Sequence, residues 1–181
     1  MVPSIELVRP SAAFRDSYRS LVAEFTASDE KLVPFTLAFA HDDFAGMLEK
    51  LASSSRGVGL PEGFVAHSTF WLVENGAEVV GVSNLRHALT PALRREGGNV
   101  GYGIRPSARR RGLATKLLRL TLLRARDIGL TRVLLTCAKV NSASVNTILR
   151  NGGVLESEEF LPERDEIVQR YWVQVPASER A

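Results

Sequence analysis

The sequence predicts an α/β protein in which a mixed β-sheet carries helices on its faces. Short β-type runs bounded by glycine, proline or asparagine alternate with amphipathic stretches of helical period. The order of these segments is β-α-α-β-β-β-α-β-α-β-β, which corresponds to a sheet covered by helices. A length of 181 residues and a hydrophobic content of 45% suit one domain, residues 1–181.

The first 65 residues are predicted to form one strand and two helices. Residues 5–9 alternate as a strand does, and Pro10-Ser11 is typical of a helix start. Residues 33–35 break the first helix, and the polar run 53–57 ends the second. The apolar positions at helical spacing are Phe14, Tyr18, Leu21, Val22 and Phe25, then Phe44, Met47, Leu48 and Leu51.

A hairpin and a glycine-rich strand follow. Residues 70–73 and 78–85 are β-type runs joined by Asn75-Gly76, a strong hairpin signal. Thr90-Pro91 indicates a short helical turn, since proline follows a capping residue. Residues 99–104 read as a fourth strand.

The clearest helix is 112–128, which has a wide apolar face and a glycine, Gly129, at its end. The remaining elements are a strand, a helix and two closing strands, at 132–137, 141–151, 154–158 and 167–175.

Composition excludes several classes of protein. The single cysteine, Cys137, excludes an internal disulfide framework, and the three histidines lack the spacing of a zinc site, so we expect no metal. No apolar stretch approaches the roughly 20 residues that span a bilayer. The N-terminus does not resemble a signal peptide. These features predict a cytoplasmic protein with no membrane partner.

Positive charge is concentrated in one segment. Residues 94–132 contain eleven Arg and Lys residues against two acids, although the net charge of the chain is only +3. A solvated helix face accounts for part of this excess, but Arg105 and the run 109–111 crowd a loop where like charges repel. The charge therefore favours an anionic ligand.

That loop lies between the glycine-rich strand and the clearest helix. The start of a helix presents free N–H groups and the positive end of its dipole, which together bind phosphate. Gly112 allows close approach of the backbone and Ala114 keeps the first turn open. The sequence therefore predicts a phosphate or pyrophosphate site at residues 110–115. The P-loop and dinucleotide-binding patterns are both absent.

The same stretch resembles the GNAT superfamily of N-acetyltransferases. Arg109-x-x-Gly112-x-Ala114 matches the family's Q/R-x-x-G-x-G/A loop, and residues 141–144 with 151–153 resemble its next helix. The resemblance implies a mostly antiparallel sheet of six to seven strands, splayed between strands 4 and 5. It also implies an acetyl-CoA-binding core at 66–175 and an acceptor side at 1–65.

The resemblance further implies acetyl-CoA as co-substrate. Its pyrophosphate would bind the amides of 110–115, and its pantetheine arm would pair with strand residues 102–104, one of whose N–H groups would hold the oxyanion. Asn141 would contact the arm, although a plain N-cap is an alternative. The implied cofactor-binding residues are Tyr102, Gly103, Ile104, Arg109, Arg110, Arg111, Gly112, Leu113, Ala114, Thr115, Asn141 and Ser144.

The sequence departs from the family at the catalytic groups. Ile148 stands where many members have a tyrosine acid, and Gly98 stands where some have a glutamate base. Glu96 and Tyr102 are the candidate catalytic substitutes. Glu96 could instead be a surface carboxylate, and Tyr102 faces either the cofactor or the core according to strand register. His87 and Cys137 are weaker candidates.

The predicted function is transfer of an acetyl group from acetyl-CoA to a primary amine of a small molecule or peptide in a ternary complex. Acidic residues at 29–43 and 156–166 suggest a cationic acceptor, or else ordinary solvated faces. The alternatives are a non-catalytic acyl-CoA-binding module and a nucleic-acid-binding protein. We expect no nucleic acid as partner, and a monomer or homodimer.

Overall fold

The computed structural model describes residues 3–177, and the strands of this part form two antiparallel sheets. The first sheet has the order β1-β2-β3-β4 and the second the order β5-β7-β6. The strands are β1 (Ile5–Val8), β2 (His67–Glu74), β3 (Glu78–Arg86), β4 (Val100–Ile104), β5 (Arg132–Ala138), β6 (Val154–Leu161) and β7 (Glu166–Gln174). Every hydrogen-bonded strand pair is antiparallel.

Five α-helices are described, and short 3-10 turns precede several of them. They are α1 (Arg15–Ala27), α2 (Phe44–Ser55), α3 (Pro91–Arg95), α4 (Leu113–Asp127) and α5 (Ser142–Arg150). The first begins later than the sequence predicts because the Ser11 side chain caps a separate 3-10 turn. None of the described helices combines the length and hydropathy that a bilayer crossing requires.

The two faces of the first sheet pack on different helices, as predicted. Trp71 stacks on Tyr18 of α1 with ring centroids 4.5 Å apart, in a cluster that also contains α2 side chains. Phe70 and Leu72, on the opposite face of β2, belong to the cluster built on α4. Because alternate residues enter two cores, every residue of β2 is buried.

The two sheets share one hydrophobic core, and within residues 3–177 the backbone hydrogen bond that joins them lies at the start of β4. The Asn99 N–H donates to the Leu134 carbonyl (2.7 Å), and the Leu134 N–H donates to the Asn99 side-chain oxygen (2.8 Å). Beyond this point no backbone hydrogen bond joins residues 100–104 to β5 within the described chain. The predicted splay between strands 4 and 5 is thus confirmed, and it leaves one edge of β4 open.

Candidate functional site

A row of free backbone amides marks the start of α4. From Arg110 to Thr115, none of the N–H groups donates to another residue in the described range 3–177; the next, Lys116, donates to the Gly112 carbonyl. No side chain caps this helix end. Arg110, Arg111 and Gly112 are exposed, so these donors face solvent or a ligand rather than the interior. Their position agrees with the predicted phosphate site.

Two left-handed residues shape the backbone that carries these amides. Arg110 and Gly112 both have positive φ, 63° and 76°, while the residues after Gly112 are helical. Left-handed residues set among right-handed ones bring successive N–H groups into a concave nest that binds anions. The left-handed conformation is unfavourable for arginine, and such strain is typical of binding sites.

Two arginines of this loop are bound by carboxylates, one from the segment after α1 and one from β2. Arg109 donates to both oxygens of Glu30, at 2.6 and 2.7 Å, and Arg111 binds Glu74. The hydrogen bonds that Arg109 donates to the Glu30 carboxylate lower the pKa of Glu30 and raise the pKa of Arg109. These guanidinium groups anchor the loop.

Arg105 is a third anchor and is buried. Its guanidinium donates to Glu24 (2.6 Å), Glu78 (2.8 Å) and the Ser20 hydroxyl (2.6 Å). The second oxygen of Glu24 accepts from the Ser107 N–H. Burial alone would raise the pKa of Glu24, but these hydrogen bonds lower it. The loop is thereby tied to α1 at two points.

The charge reasoning from sequence therefore needs correction. Like charges in the loop do not repel unopposed, because three of the four arginines each meet a glutamate. Arg110 alone among the four has no hydrogen-bonded or ion-paired partner in residues 3–177. The cluster of free guanidinium groups on which the nucleic-acid-binding alternative rested is thus reduced to Arg110.

The open edge of β4 adjoins the amide row. Its glycine face is covered by the chain segment between α1 and α2: a Cβ at Gly103 would lie 2.2 Å from the Val33 carbonyl oxygen, and one at Gly101 would lie 3.4 Å from Pro34. The close approach that these glycines permit is thus made by the protein's own backbone. The edge toward β5 stays free.

The start of α5 forms the opposite wall of the opening. The Asn141 side-chain oxygen accepts from the Ser144 N–H (3.0 Å), so Asn141 is an N-cap, as the plainer alternative proposed. Its side-chain N–H groups have no acceptor among the described residues. Asn151 at the far end of α5 donates to the Thr115 carbonyl, which joins the two helices.

Tyr102 faces the helix side of the opening rather than the covered face. Its phenolic oxygen lies 2.9 Å from the Ser144 hydroxyl, across the gap between β4 and α5. Burial raises the pKa of Tyr102 to about 12, although hydrogen bonding to Ser144 opposes the rise. Burial also raises the pKa of the neighbouring Cys137 thiol, so that thiol is less reactive than an exposed one.

The remaining catalytic candidates lie elsewhere or are engaged. Glu96 ends α3 and is ion-paired with Arg164, which also binds Glu166. Ile148 is fully buried. His87 is hydrogen-bonded to Ser68 (2.9 Å), and burial lowers its pKa. No group of metal-binding side chains occurs in the part of the chain described.

Half of the acids that suggested a cationic acceptor, five of ten, are held in ion pairs with arginine or lysine within residues 3–177. Glu158 binds Lys139, Glu159 binds Arg95 and Arg170, and Glu163 binds Arg95. The two Arg95 pairs tie α3 to the hairpin of β6 and β7. Sequence reasoning missed both these pairs and the glutamates that hold the arginine loop, because the partners are far apart in the chain and carry no local signal.

Comparisons with known proteins agree with this geometry. The profile of the family described as "Acetyltransferase (GNAT) domain" matches residues 13–154. No curated protein sequence matches the chain significantly. Many solved structures are similar in fold.

One is an acetyltransferase from Salmonella typhimurium that modifies the N-terminal serine of ribosomal protein L7/L12: TM-score 0.68, 16% identity, covering 96% of both chains. Another is the microcin C7 self-immunity acetyltransferase MccE in complex with acetyl-CoA and AMP: TM-score 0.67, 16% identity, covering 94% of this chain and 92% of that one. A third is the dodecameric spermidine N-acetyltransferase of Vibrio cholerae: TM-score 0.63, 16% identity, covering 94% and 93%.

At these identities the structures establish a shared fold and nothing more specific. The family match spans well over half of the sequence, and it includes the amide row, the open strand edge and the start of α5. The chain therefore belongs to the GNAT acetyltransferase family.

Proposed function

We propose that this protein transfers an acetyl group from acetyl-CoA to a primary amine of a small molecule or peptide. The observation that carries the proposal is the row of free amides from Arg110 to Thr115 beside the open edge of β4, within a GNAT domain. The structural neighbours include enzymes that acetylate spermidine and an N-terminal serine, and both acceptors are amines.

The residues present fit the diphosphate of coenzyme A. Six consecutive N–H donors at an uncapped helix start provide hydrogen bonds and a positive dipole to its oxygens. Arg110, exposed and without a partner among residues 3–177, adds a charge-assisted hydrogen bond. Arg109 and Arg111 act indirectly, by holding the loop in its nest conformation.

The pantetheine arm is proposed to lie in the opening between the sheets. Residues 102–104 supply the unpaired strand edge for its amides, and an N–H of this edge stabilises the thioester oxygen as negative charge develops. The free side-chain N–H groups of Asn141 and the hydroxyl of Ser144 face the arm from α5. Acetyl-CoA supplies the acetyl group as a thioester.

The reaction is a direct substitution at the thioester carbonyl. The neutral amine nitrogen forms the C–N bond, the C–S bond breaks, and its electron pair passes to sulfur. One amine proton leaves to water and one proton from water completes the CoA thiol, so no oxidant or metal is needed. Glu96 is not assigned the role of base, since Arg164 engages its carboxylate.

The second candidate is a non-catalytic acyl-CoA-binding module. It is favoured by the absence of an ionisable side chain at Gly98 and Ile148, the positions of the family's base and acid. Both candidates require acetyl-CoA binding, and they differ only in turnover.

Steady-state release of free CoA separates the two candidates. The purified protein is incubated with acetyl-CoA and a panel containing spermidine, a serine-initiated peptide, a neutral amine and an acidic amine. Amine-dependent CoA release that saturates with acetyl-CoA supports the enzyme. Calorimetric binding of acetyl-CoA with no release across a broad panel would leave the binding module, and no binding would contradict both.

A further inference from the structure

A phenol and a hydroxyl meet inside the opening that the proposed function assigns to the thioester. Tyr102 projects from β4 and Ser144 from the first turn of α5, with their oxygen atoms 2.9 Å apart. Cys137, at the end of β5, is the third polar side chain of this cluster. Side chains from both walls of the splay therefore converge on its helix side.

The orientation of Tyr102 follows from the residues beside it. Gly101 and Gly103 face the segment that contains Val33 and Pro34, and a Cβ at Gly103 would clash with the Val33 carbonyl oxygen at 2.2 Å. The side chain of Tyr102 must point the opposite way because successive strand residues alternate. It consequently lies on the helix side of β4, where the Ser144 hydroxyl holds its oxygen in place.

We propose that Tyr102 donates a hydrogen bond to the sulfur of coenzyme A as the C–S bond breaks, so that this strand residue stabilises the leaving thiolate. Ser144 orients the phenol: a hydroxyl can donate to the phenol oxygen while the phenol donates to sulfur. The inference rests on the proposed function, and it gives β4 a role that Ile148, fully buried and apolar, cannot fill from α5.

The phenol acts as a hydrogen-bond donor and not as a full acid. Its pKa of about 12 keeps it protonated throughout the physiological range. An ordinary thiol has a pKa of about 8.5, so complete transfer of the phenol proton to the thiolate would be unfavourable by more than about a thousandfold. A neutral donor aimed at developing charge stabilises it without proton transfer.

Binding measurements test the contact without relying on turnover. At about pH 9.5 the thiol of CoA is largely ionised, whereas desulfo-CoA has no sulfur. We expect the wild-type protein to bind CoA about tenfold more tightly than desulfo-CoA at this pH, and Tyr102→Phe to reduce that ratio to about one while leaving desulfo-CoA affinity unchanged. Tyr171→Phe, which removes a buried phenol bonded to Gln169, is the matched control and keeps the ratio.

Turnover supplies the second readout. Tyr102→Phe is expected to lower kcat by about 100-fold with the KM for acetyl-CoA changed less than about twofold, because the hydrogen bond strengthens only as sulfur becomes charged. If Tyr102→Phe no longer binds desulfo-CoA, a crystal of wild-type protein with CoA decides: a phenol oxygen within about 3.5 Å of sulfur supports the proposal, and one beyond hydrogen-bond reach contradicts it.

Several outcomes would overturn the inference. The inference fails if the wild-type protein binds CoA and desulfo-CoA equally tightly. It also fails if Tyr102→Phe keeps the wild-type preference for CoA, whether or not Ser144→Ala loses it. If the wild-type protein binds both ligands and releases CoA, and Tyr102→Phe has the same affinity ratio and kcat as the wild type, only this inference fails. If the wild-type protein binds neither ligand, the proposed function fails with it.

Discussion

The starts of α4 and α5 face each other across the same opening but are built differently. Helix α5 begins with Asn141, whose side chain satisfies the Ser144 N–H at 3.0 Å. Helix α4 begins with Gly112, which has no side chain to offer, and its amides remain free. Both helices follow a strand of the splay, so their positions are alike and the difference lies in the capping residue.

That difference indicates which helix start is reserved for a ligand. An N-cap side chain contributes about 1 kcal/mol to stability, and α4 forgoes it. The loop before α4 also keeps Arg110 in the left-handed conformation. A helix end that gives up a cap and tolerates strain, while three neighbouring arginines anchor its loop, is preorganised for an external anion.

The largest effect is expected from a carboxylate at the free helix start. Gly112→Asp should weaken acetyl-CoA binding at least about 100-fold, because the charge occupies the anion site and repels the diphosphate. Calorimetry measures this. Gly129→Asp is the matched control, since Gly129 also has positive φ and open space around its Cα but lies at the other end of α4.

Gly112→Asn separates charge from bulk, because asparagine tolerates the left-handed conformation. It should weaken binding less than Gly112→Asp. Equal affinity of Gly112→Asp and the wild-type protein, with both folded, would remove the phosphate site from α4.

The next effect changes stability without touching either helix start. His67 is 2% exposed, and burial, with Arg86 and His87 nearby, lowers its pKa to about 4. Below pH 6.5 the unfolded state therefore takes up a proton first, so stability is complete above pH 6.5 and falls as pH drops toward 4, by about 3 kcal/mol in total. Denaturant unfolding at several pH values measures the loss.

His67→Gln should reduce this pH dependence to the smaller part that His87 contributes, since burial also lowers the pKa of His87, whereas His41→Gln serves as control and should keep it. Over the same pH range, as long as the wild-type protein stays folded, the amides at the start of α4 should remain free and the start of α5 should remain capped by Asn141. If His67→Gln loses as much stability as the wild-type protein between about pH 6.5 and pH 4, another group causes that loss.

Two arginines of the loop before α4 are expected to differ in role: Arg105 anchors the loop to α1, and Arg110 binds acetyl-CoA. Arg105→Ala should lower the free energy of unfolding by about 2 kcal/mol, since it leaves Glu24 without its buried partner. Arg110→Ala should change stability by less than about 0.5 kcal/mol but weaken acetyl-CoA binding. The reverse pattern in unfolding and calorimetry would contradict the assignment of these roles.

The smallest effect concerns the capped start. Asn141→Ala should cost about 1 kcal/mol of stability through loss of the cap. Asn141→Asp keeps a capping oxygen and removes the side-chain N–H donors, so it should hold stability near the wild-type value and weaken acetyl-CoA binding several-fold. If Asn141→Asp binds acetyl-CoA as tightly as the wild-type protein, the role of Asn141 is helix capping alone.

The contrast between these helix starts explains what sequence could predict. Gly112 and the apolar period of α4 are local signals, so the helix and its start were predictable, whereas the splayed fold was implied only by the resemblance to the GNAT superfamily. The partners of the arginines were not, because Glu30 lies 79 residues from Arg109 and Glu74 lies 37 residues from Arg111. Pairing at such separations depends on tertiary packing. The direction of Tyr102 also required the structure, since only the packing of Val33 on Gly103 fixes it.

The most direct test follows the backbone amides themselves. In a proton–nitrogen NMR titration with CoA, we expect the largest shifts, toward lower field, for the N–H groups of residues 110–115, as free donors acquire charged acceptors. The Ser144 N–H, already bonded to Asn141, should shift less. Saturating CoA that leaves residues 110–115 unmoved, or that shifts mainly another helix start, would contradict the assignment of the diphosphate to α4.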